Sequence, residues 1–367
     1  MPRHRRRFLE ATGLGIAGAV LGAPATAQAQ AEVRWRCQSS YPKSLDTIFG
    51  GAEHICKRVA AATNGRFQIQ LFGPGEIVPG LQVLEAVAAN TIECGETATS
   101  YSVGIDPTFA FDTALPFGMN VRHHNAWMYH GGGLELTREF LREYSIVNFP
   151  CGNTGTQMGG WFRKEVRSLA DLKGLKMRIP GLGGNIMARL GVIPQQIAGA
   201  DVYPALERGA LDAVEFSGPH DDEKFGFYKV AKHYYYPSWW EYAAQLTFVV
   251  NVKQWESLPR DFQAVLEAAC VEANLWMLSK YDAQNPMALH KLIAAGVSLH
   301  RFSTEIMEAA HQVAFEYYDE IAATNPRFRK IYEPWMKFRA DEFLWFRLAE
   351  NTLDNFLLAH PPARRKS

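Results

Sequence analysis

YPALERGALDAVEFSGPHDDEKFGFYKVAKHYYYPSWWE, residues Tyr203–Glu241, is a densely aromatic stretch in which Glu215 stands isolated between apolar neighbours and a second carboxylate, Glu241, follows two tryptophans. Within it, Ala205–Arg208 has helical character and Leu211–Glu215 reads as a short strand whose end presents the carboxylate. Upstream, GNTGTQMGGWF (Gly152–Phe162) and GLKMRIPGLGGN (Gly174–Asn185) set Gln157 and Arg178 in similar small-residue and apolar surroundings. Gly174–Ile179 reads as a strand, and Asn185–Leu190 opens a helix after the glycine-rich turn. Arg178 thus ends a strand where crevices form at the carboxyl edge of a parallel sheet.

Working towards the N-terminus, Val33–Gln38 alternates like a strand, Leu45–Ala62 has helical spacing, and Arg66–Leu71 alternates again before the Phe72-Gly73-Pro74-Gly75 turn. Leu81–Ala89 reads as a helix and Thr91–Thr97 as a short strand. Alternating strands and helices predict an α/β fold with parallel pairing. Towards the C-terminus, Ala244–Val252 has strand composition and is expected to return the chain to its first lobe. A length of 367 residues and 47% hydrophobic content suffice for two cores, so two lobes are the expected organisation. No internal repeat or low-complexity linker stands out; ordered strands rather than a tether are expected to join the lobes.

Three further segments, FGPGEIVPGLQVLEAV (Phe72–Val87), ALPFGMN (Ala114–Asn120) and AWMYHGGGLEL (Ala126–Leu136), fall in order with the three already quoted. Together they make the chain resemble the solute-receptor subunits of TRAP transporters, particularly the branch that captures 2-oxo acids and related monocarboxylates with a bound cation. The resemblance spans nearly the whole mature chain. It implies a two-lobe α/β periplasmic solute-binding protein with crossing strands, a long connecting helix (here Arg260–Leu292) and a C-terminal helix. The expected lobes are residues 30–153 with 243–285, and residues 154–242 with 286–335; residues 336–367 form a C-terminal helical segment. Its helix, Ala340–Leu358, is rich in Phe343, Trp345, Phe346, Leu353 and Phe356. In monocarboxylate-binding relatives such a helix can exchange between subunits, which makes a homodimer possible here; covering its own chain's core is the simpler use.

The residue types fit a small-anion site. A guanidinium can form two parallel hydrogen bonds to a carboxylate; an arginine at a strand end also serves as a surface salt-bridge partner, and the resemblance is what assigns Arg178 to the solute. Gln157 and Glu215 offer an amide and a carboxylate oxygen, both hard ligands suited to sodium or calcium. The resemblance implies that Gln157 and Glu215 hold the metal, joined by the backbone carbonyl of the next residue. Here that residue is Phe216, where the family carries tryptophan: the carbonyl is kept, the indole N–H is lost. Glu241 is expected to complete the cation's charge shell or to bind a polar group of the solute; a solvated carboxylate is the simpler use. Asn153 and Tyr101 are secondary candidates for the solute's carboxylate or 2-oxygen, while Trp161, Phe216, Trp239 and Trp240 are expected to exclude water.

The N-terminus assigns a compartment. His4-Arg5-Arg6-Arg7-Phe8-Leu9, an apolar Ala11–Ala23 and the small-residue run Pro24–Ala29 read as a twin-arginine signal, residues 1–29, directing export to the periplasm. The apolar run of about 13 residues falls short of the roughly 20 that span a bilayer, so cleavage rather than anchoring is expected. The full chain balances 38 basic and 38 acidic side chains; loss of Arg3, Arg5, Arg6, Arg7 and Glu10 leaves 34 against 37. That balance argues against nucleic acid as a partner. Cys37, Cys56, Cys94, Cys151 and Cys270 lack CxxC or zinc spacing, and a protein folded in the cytoplasm before export can keep buried free thiols.

Receptor work predicts a small-molecule carboxylate and the two membrane subunits of the transporter as partners, with no catalytic turnover. Two other classes compete: a secreted metal-dependent enzyme acting on 2-oxo acids, since a metal can polarise a carbonyl, and a sensory receptor using the same closure. No HExxH, GxSxG or P-loop pattern supports the enzyme. His123, His124 and His130 precede Gly131-Gly132-Gly133 and are expected in a structural loop rather than around a metal.

Overall fold

The computed structural model describes residues 32–361; the signal sequence read above lies outside the described residues. Eleven strands form two sheets: β1 Val33–Ser39, β2 Phe67–Phe72, β3 Cys94–Thr97, β4 Ile146–Thr156, β5 Trp161–Phe162, β6 Lys176–Arg178, β7 Ile193–Gln195, β8 Ala213–Val214, β9 His233–Tyr236, β10 Ala243–Asn251 and β11 Ser298–Arg301. The first sheet has the order β2-β1-β3-β10-β4 and the second β11-β9-β5-β8-β6-β7. β1 runs parallel to β2 and β3, while β10 runs antiparallel to β3 and β4. In the second sheet β6 runs parallel to β7 and β8, and β5 antiparallel to β8 and β9. The predicted α/β fold is the observed one.

The chain leaves the first sheet for the second after β4 and returns to it at β10. β4 is buried along almost its whole length because the long helix Arg260–Ala294 and the neighbouring β10 cover it. Pro150 has no N–H for the ladder, and the register accordingly slips there: Leu246 faces Gly152 while Thr247 faces Pro150. After Thr156 the chain enters the second sheet through Gly160, whose φ of 89° and approach to the Val214 carbonyl leave no room for a side chain: a Cβ would lie 2.5 Å from that oxygen.

Two buried clusters fill the interior, and each draws on both sheets. One joins Ile146 and Val249 to Phe162, Met177 and Tyr235; the other joins Trp35, Cys37 and Phe248 to Trp161, Val214 and Tyr234. Each lobe therefore shares its apolar burial with the other near the crossing strands. The long helix spans about 52 Å at 1.5 Å per residue and packs against β4, the helix Ile48–Ala62 and the helix Pro219–Phe225.

Several expected boundaries move. The helix after Arg178 starts at Gly181, not Asn185, because Gly181 takes a φ of 65° directly behind Pro180. The C-terminal helix is one 34-residue element, Pro326–Ala359, started by Asn325, whose side chain accepts from the N–H groups of Arg327 and Phe328. The histidines are not in a loop: Val121–His130 is a helix capped by Asn120, and buried His123 packs on Phe343 and Phe346 of the C-terminal helix. All five cysteines are free; Cys56 is half-buried and the other four are buried. No helix among the described residues is long and apolar enough to cross a membrane.

Candidate functional site

A small cavity of about 30 Å³, room for an ion or a water molecule or two, lies where β4 and β10 meet the second sheet. Tyr41, Ile48, Ala98, Tyr101, Thr154, Gln157, Arg178, Pro180, Glu215, Phe216, Glu241, Ala244 and Leu246 line it. The polar side chains thus face a short apolar wall made by Ile48, Ala98, Ala244 and Leu246.

Strand register brings Arg178 and Glu215 together. β6 and β8 are parallel, Arg178 lies opposite Val214, and the Glu215 N–H donates to the Arg178 carbonyl at 3.0 Å. Both side chains then leave the carboxyl end of the sheet side by side. Arg178 Nη1 donates to the Glu215 carbonyl oxygen at 2.5 Å and to Oε2 at 3.0 Å, while Nε reaches the Ile197 carbonyl at 3.4 Å. Nη2 has no hydrogen-bond partner among the described residues. The guanidinium carbon stands 5.2 Å from the centre of the Phe216 ring, so an aromatic face covers one side of the cation.

The crossing strands deliver the second half. Gln157 follows β4 and Glu241 precedes β10, so their antiparallel pairing sets the two side chains together; Gln157 Nε2 donates to Thr154 Oγ1 at 3.0 Å and to Glu241 Oε2 at 3.3 Å. With its amide N–H groups so used, Gln157 Oε1 is buried without a partner, as is Glu215 Oε1. Unpaired buried acceptors are costly. Two of them beside a third oxygen, on Glu241, form a donor set that a hard cation satisfies.

Charge supports the same reading. Burial pushes the Glu215 carboxyl well above its usual range; Arg178 opposes this, and the neighbouring charges of Glu241 and Asp222 add to it. Burial likewise pushes Glu241 up to about 7, against the pull of Arg178 and the Gln157 hydrogen bond. One guanidinium cannot balance two carboxylates, so without a further cation the site favours holding a proton. Among the described residues no cluster of three or more His, Cys, Asp or Glu side chains suited to a metal occurs. Any cation here depends on amide and carbonyl oxygens as well as carboxylates.

Of the residues singled out from sequence, Arg178, Gln157, Glu215, Glu241, Tyr101 and Phe216 line the cavity, and Asn153, Trp161, Trp239 and Trp240 do not. Asn153 is fully buried in β4 and its Oδ1 accepts from the Gly155 N–H. Trp161 stacks on Tyr234 with ring centres 3.9 Å apart and donates to Asp222 Oδ2 at 2.9 Å, beneath the site rather than in it. Trp240 packs edge-on to Trp239 and Phe302. Sequence reasoning missed Tyr41, which nothing in its local pattern distinguishes, and Thr154. Thr154 lies inside the GNTGTQ segment; its hydroxyl accepts from both Gln157 Nε2 and the Ala244 N–H, bracing the crossing strands.

A family profile described as bacterial extracellular solute-binding protein, family 7, matches residues 38–325. A monocarboxylate 2-oxoacid-binding periplasmic protein of Nostoc sp. is 51% identical over 324 residues, covering 88% of this chain and 89% of the relative. A TRAP transporter solute-binding protein from Bordetella bronchiseptica is also 51% identical, with a TM-score of 0.88 over 90% of this chain and 98% of its own. That structure is a mixed-occupancy dimer with copurified calcium and picolinate in one active site and an apo site in the other. A periplasmic TRAP protein from Pseudoalteromonas atlantica, 36% identical with a TM-score of 0.85 over 88% of this chain and 98% of its own, holds sodium and pyruvate.

Proposed function

The chain belongs to bacterial extracellular solute-binding protein family 7, and on that premise we propose that it is the periplasmic receptor of a TRAP transporter for a small monocarboxylate such as pyruvate, captured together with calcium or sodium. The observation that carries this reading is the pair of buried, unpartnered oxygens, Gln157 Oε1 and Glu215 Oε1, lining one cavity with Arg178. Arg178 would grip the solute's carboxylate, and Gln157, Glu215 and the Phe216 carbonyl would hold the cation, with Glu241 adjusting the charge. When bound, the cation supplies positive charge and vacant positions for solute oxygens.

Charge counting tells the two ions apart. Ionised Glu215, ionised Glu241 and a solute carboxylate oppose a single guanidinium, an excess of two negative charges in a buried space. Calcium cancels that excess; sodium cancels it only if Glu241 keeps its proton. Capture ends with the lobes closed and the solute shielded from water, ready for the membrane subunits, and no step needs catalytic turnover. Thermal melts with pyruvate, in calcium, in sodium and in chelator without sodium, test the reading. A ligand specific for the folded form raises stability by about 2.7 kcal/mol at one hundred times its Kd. A full pyruvate shift in chelator without either ion rules out cation-assisted capture.

Export by the twin-arginine route and exchange of the C-terminal helix between two copies complete the proposal. The helix supports exchange because Leu344, Trp345, Leu348, Leu353, Phe356 and Leu357 are all more than half exposed on one chain, an apolar face that water disfavours. Chains ending at Arg339 are expected to sediment as monomers while the full mature chain sediments as a dimer; identical sedimentation removes the helix from the interface.

A further inference from the structure

One carboxylate outside the cavity gathers three cationic or ionisable partners, two of them from the helix Pro219–Phe225 and one from the long helix. Asp46 lies in the turn before the helix Ile48–Ala62, two residues from the cavity-lining Ile48. Its Oδ1 pairs with Lys224 and lies 3.4 Å from His220 Nε2, and its Oδ2 accepts from Lys280 at 3.0 Å. Lys280 also donates to the Asp46 backbone carbonyl at 2.8 Å. His220 and Lys224 belong to the helix Pro219–Phe225, which begins three residues after Phe216; Lys280 belongs to the long helix.

The partners are held in place from behind. Asn285 Oδ1 accepts the His220 N–H at 3.0 Å, and the Tyr281 hydroxyl donates to buried Asp221, so the short helix is fastened to the long one. Lys224 also approaches Asp221 Oδ1 at 3.8 Å, and Lys280 lies 4.8 Å from the centre of the Trp276 ring. By the expected division Asp46 and Lys280 belong to the first lobe and His220 and Lys224 to the second, so the contacts of Asp46 with Lys224 and His220 are the ones that bridge the lobes. The Asp46 carboxylate keeps two ammonium groups from repelling one another, which makes it more than an isolated surface pair.

We propose that Asp46 is a positioning residue for solute capture: its carboxylate clasps the second-lobe helix that follows Glu215 and Phe216 and slows reopening, without touching solute or cation. This rests on the receptor reading above. The clasp acts after the lobes meet, so it governs release more than association. Its half-exposed carboxylate also makes it sensitive to salt.

Stopped-flow tryptophan fluorescence with pyruvate and calcium on the mature full-length protein tests it. Asp46→Asn is expected to speed release about five- to tenfold at low salt with association changed less than about twofold, and Asp46→Glu to restore most of the wild-type rate. In a Lys224→Met background, where one of the repelling ammonium groups is gone, Asp46→Asn is expected to cost much less. Equal release rates in wild type and Asp46→Asn, or equal effects of Asp46→Asn in both backgrounds, overturn the clasp. If wild-type protein gives no pyruvate signal, the solute reading fails on its own; small-angle scattering of the free protein then decides the clasp. There Asp46→Asn must give a larger radius of gyration than wild type at low salt, and equal radii overturn it.

Discussion

Arg178→Lys is expected to weaken pyruvate binding in calcium about a hundredfold while leaving the protein folded. The argument rests on how the guanidinium is divided. Nη1 already serves both the carbonyl and the carboxylate of Glu215, and Nη2 is the arm left for a ligand. Lysine carries the same charge on one nitrogen, which the two Glu215 oxygens would claim. Losing a charge-assisted, buried hydrogen bond to a ligand costs about 2–5 kcal/mol, and 1.4 kcal/mol is tenfold. The ion pair with Glu215 survives in the variant, so little loss of melting temperature is expected. Titration calorimetry reads the outcome; wild-type affinity in Arg178→Lys would remove the arginine from the solute site.

Glu215→Gln separates the cation from the fold. The substitution keeps an oxygen where Glu215 Oε1 is buried but deletes the negative charge, so the site loses its main hold on calcium. Pyruvate affinity is expected to fall about a hundredfold and to stop responding to calcium. Stability of the free protein is expected to fall modestly: the amide relieves a carboxyl that burial pushes well above its usual pKa, but it leaves buried Arg178 without its carboxylate partner. Proton linkage gives a second reading. Burial pushes Glu241 up to about 7 and Glu215 well above the usual carboxylate range, so cation binding to the ionised pair releases protons. Wild-type affinity in calcium therefore rises from about pH 6 to about pH 8 and is lost in the acid direction, and Glu215→Gln flattens that slope. A variant that keeps both wild-type affinity and calcium dependence would show that the cation, if bound, is held elsewhere.

Glu215 shows how far residue types reach. An isolated carboxylate at the end of a short apolar strand is legible as a site candidate because burial of a charge demands a partner. The same reasoning found Arg178, Gln157 and Glu241, all of which line the cavity. It failed on Trp161, since an aromatic side chain within a site-bearing segment has two faces of the sheet to choose from. In β5 the indole turns to Tyr234 and Asp222 in the second lobe's interior. It failed on Tyr41 for the opposite reason: a loop residue acquires its role only when the loop meets the other lobe. The helix of His123 was missed because its three-glycine sequel looks like a loop, whereas Gly131 and Gly133 press against Trp127 and Phe338 so closely that a Cβ at either would clash.

Composition and local pattern were enough to establish an α/β chain carrying a guanidinium, an amide and two carboxylates in apolar settings, and hence a preference for small anions with a hard cation. Those are properties of side chains and short segments, which neighbours in sequence largely dictate. Which groups stand next to which was settled by pairings far apart in the chain: β6 with β8 sets Arg178 against Glu215, and β4 with β10 sets Gln157 against Glu241. Hydrogen-bond register, not residue spacing, fixes such neighbours. The contact of Asp46 with Lys224 and Lys280 has the same origin, since 178 and 234 residues of chain separate partners that only the tertiary fold brings within reach.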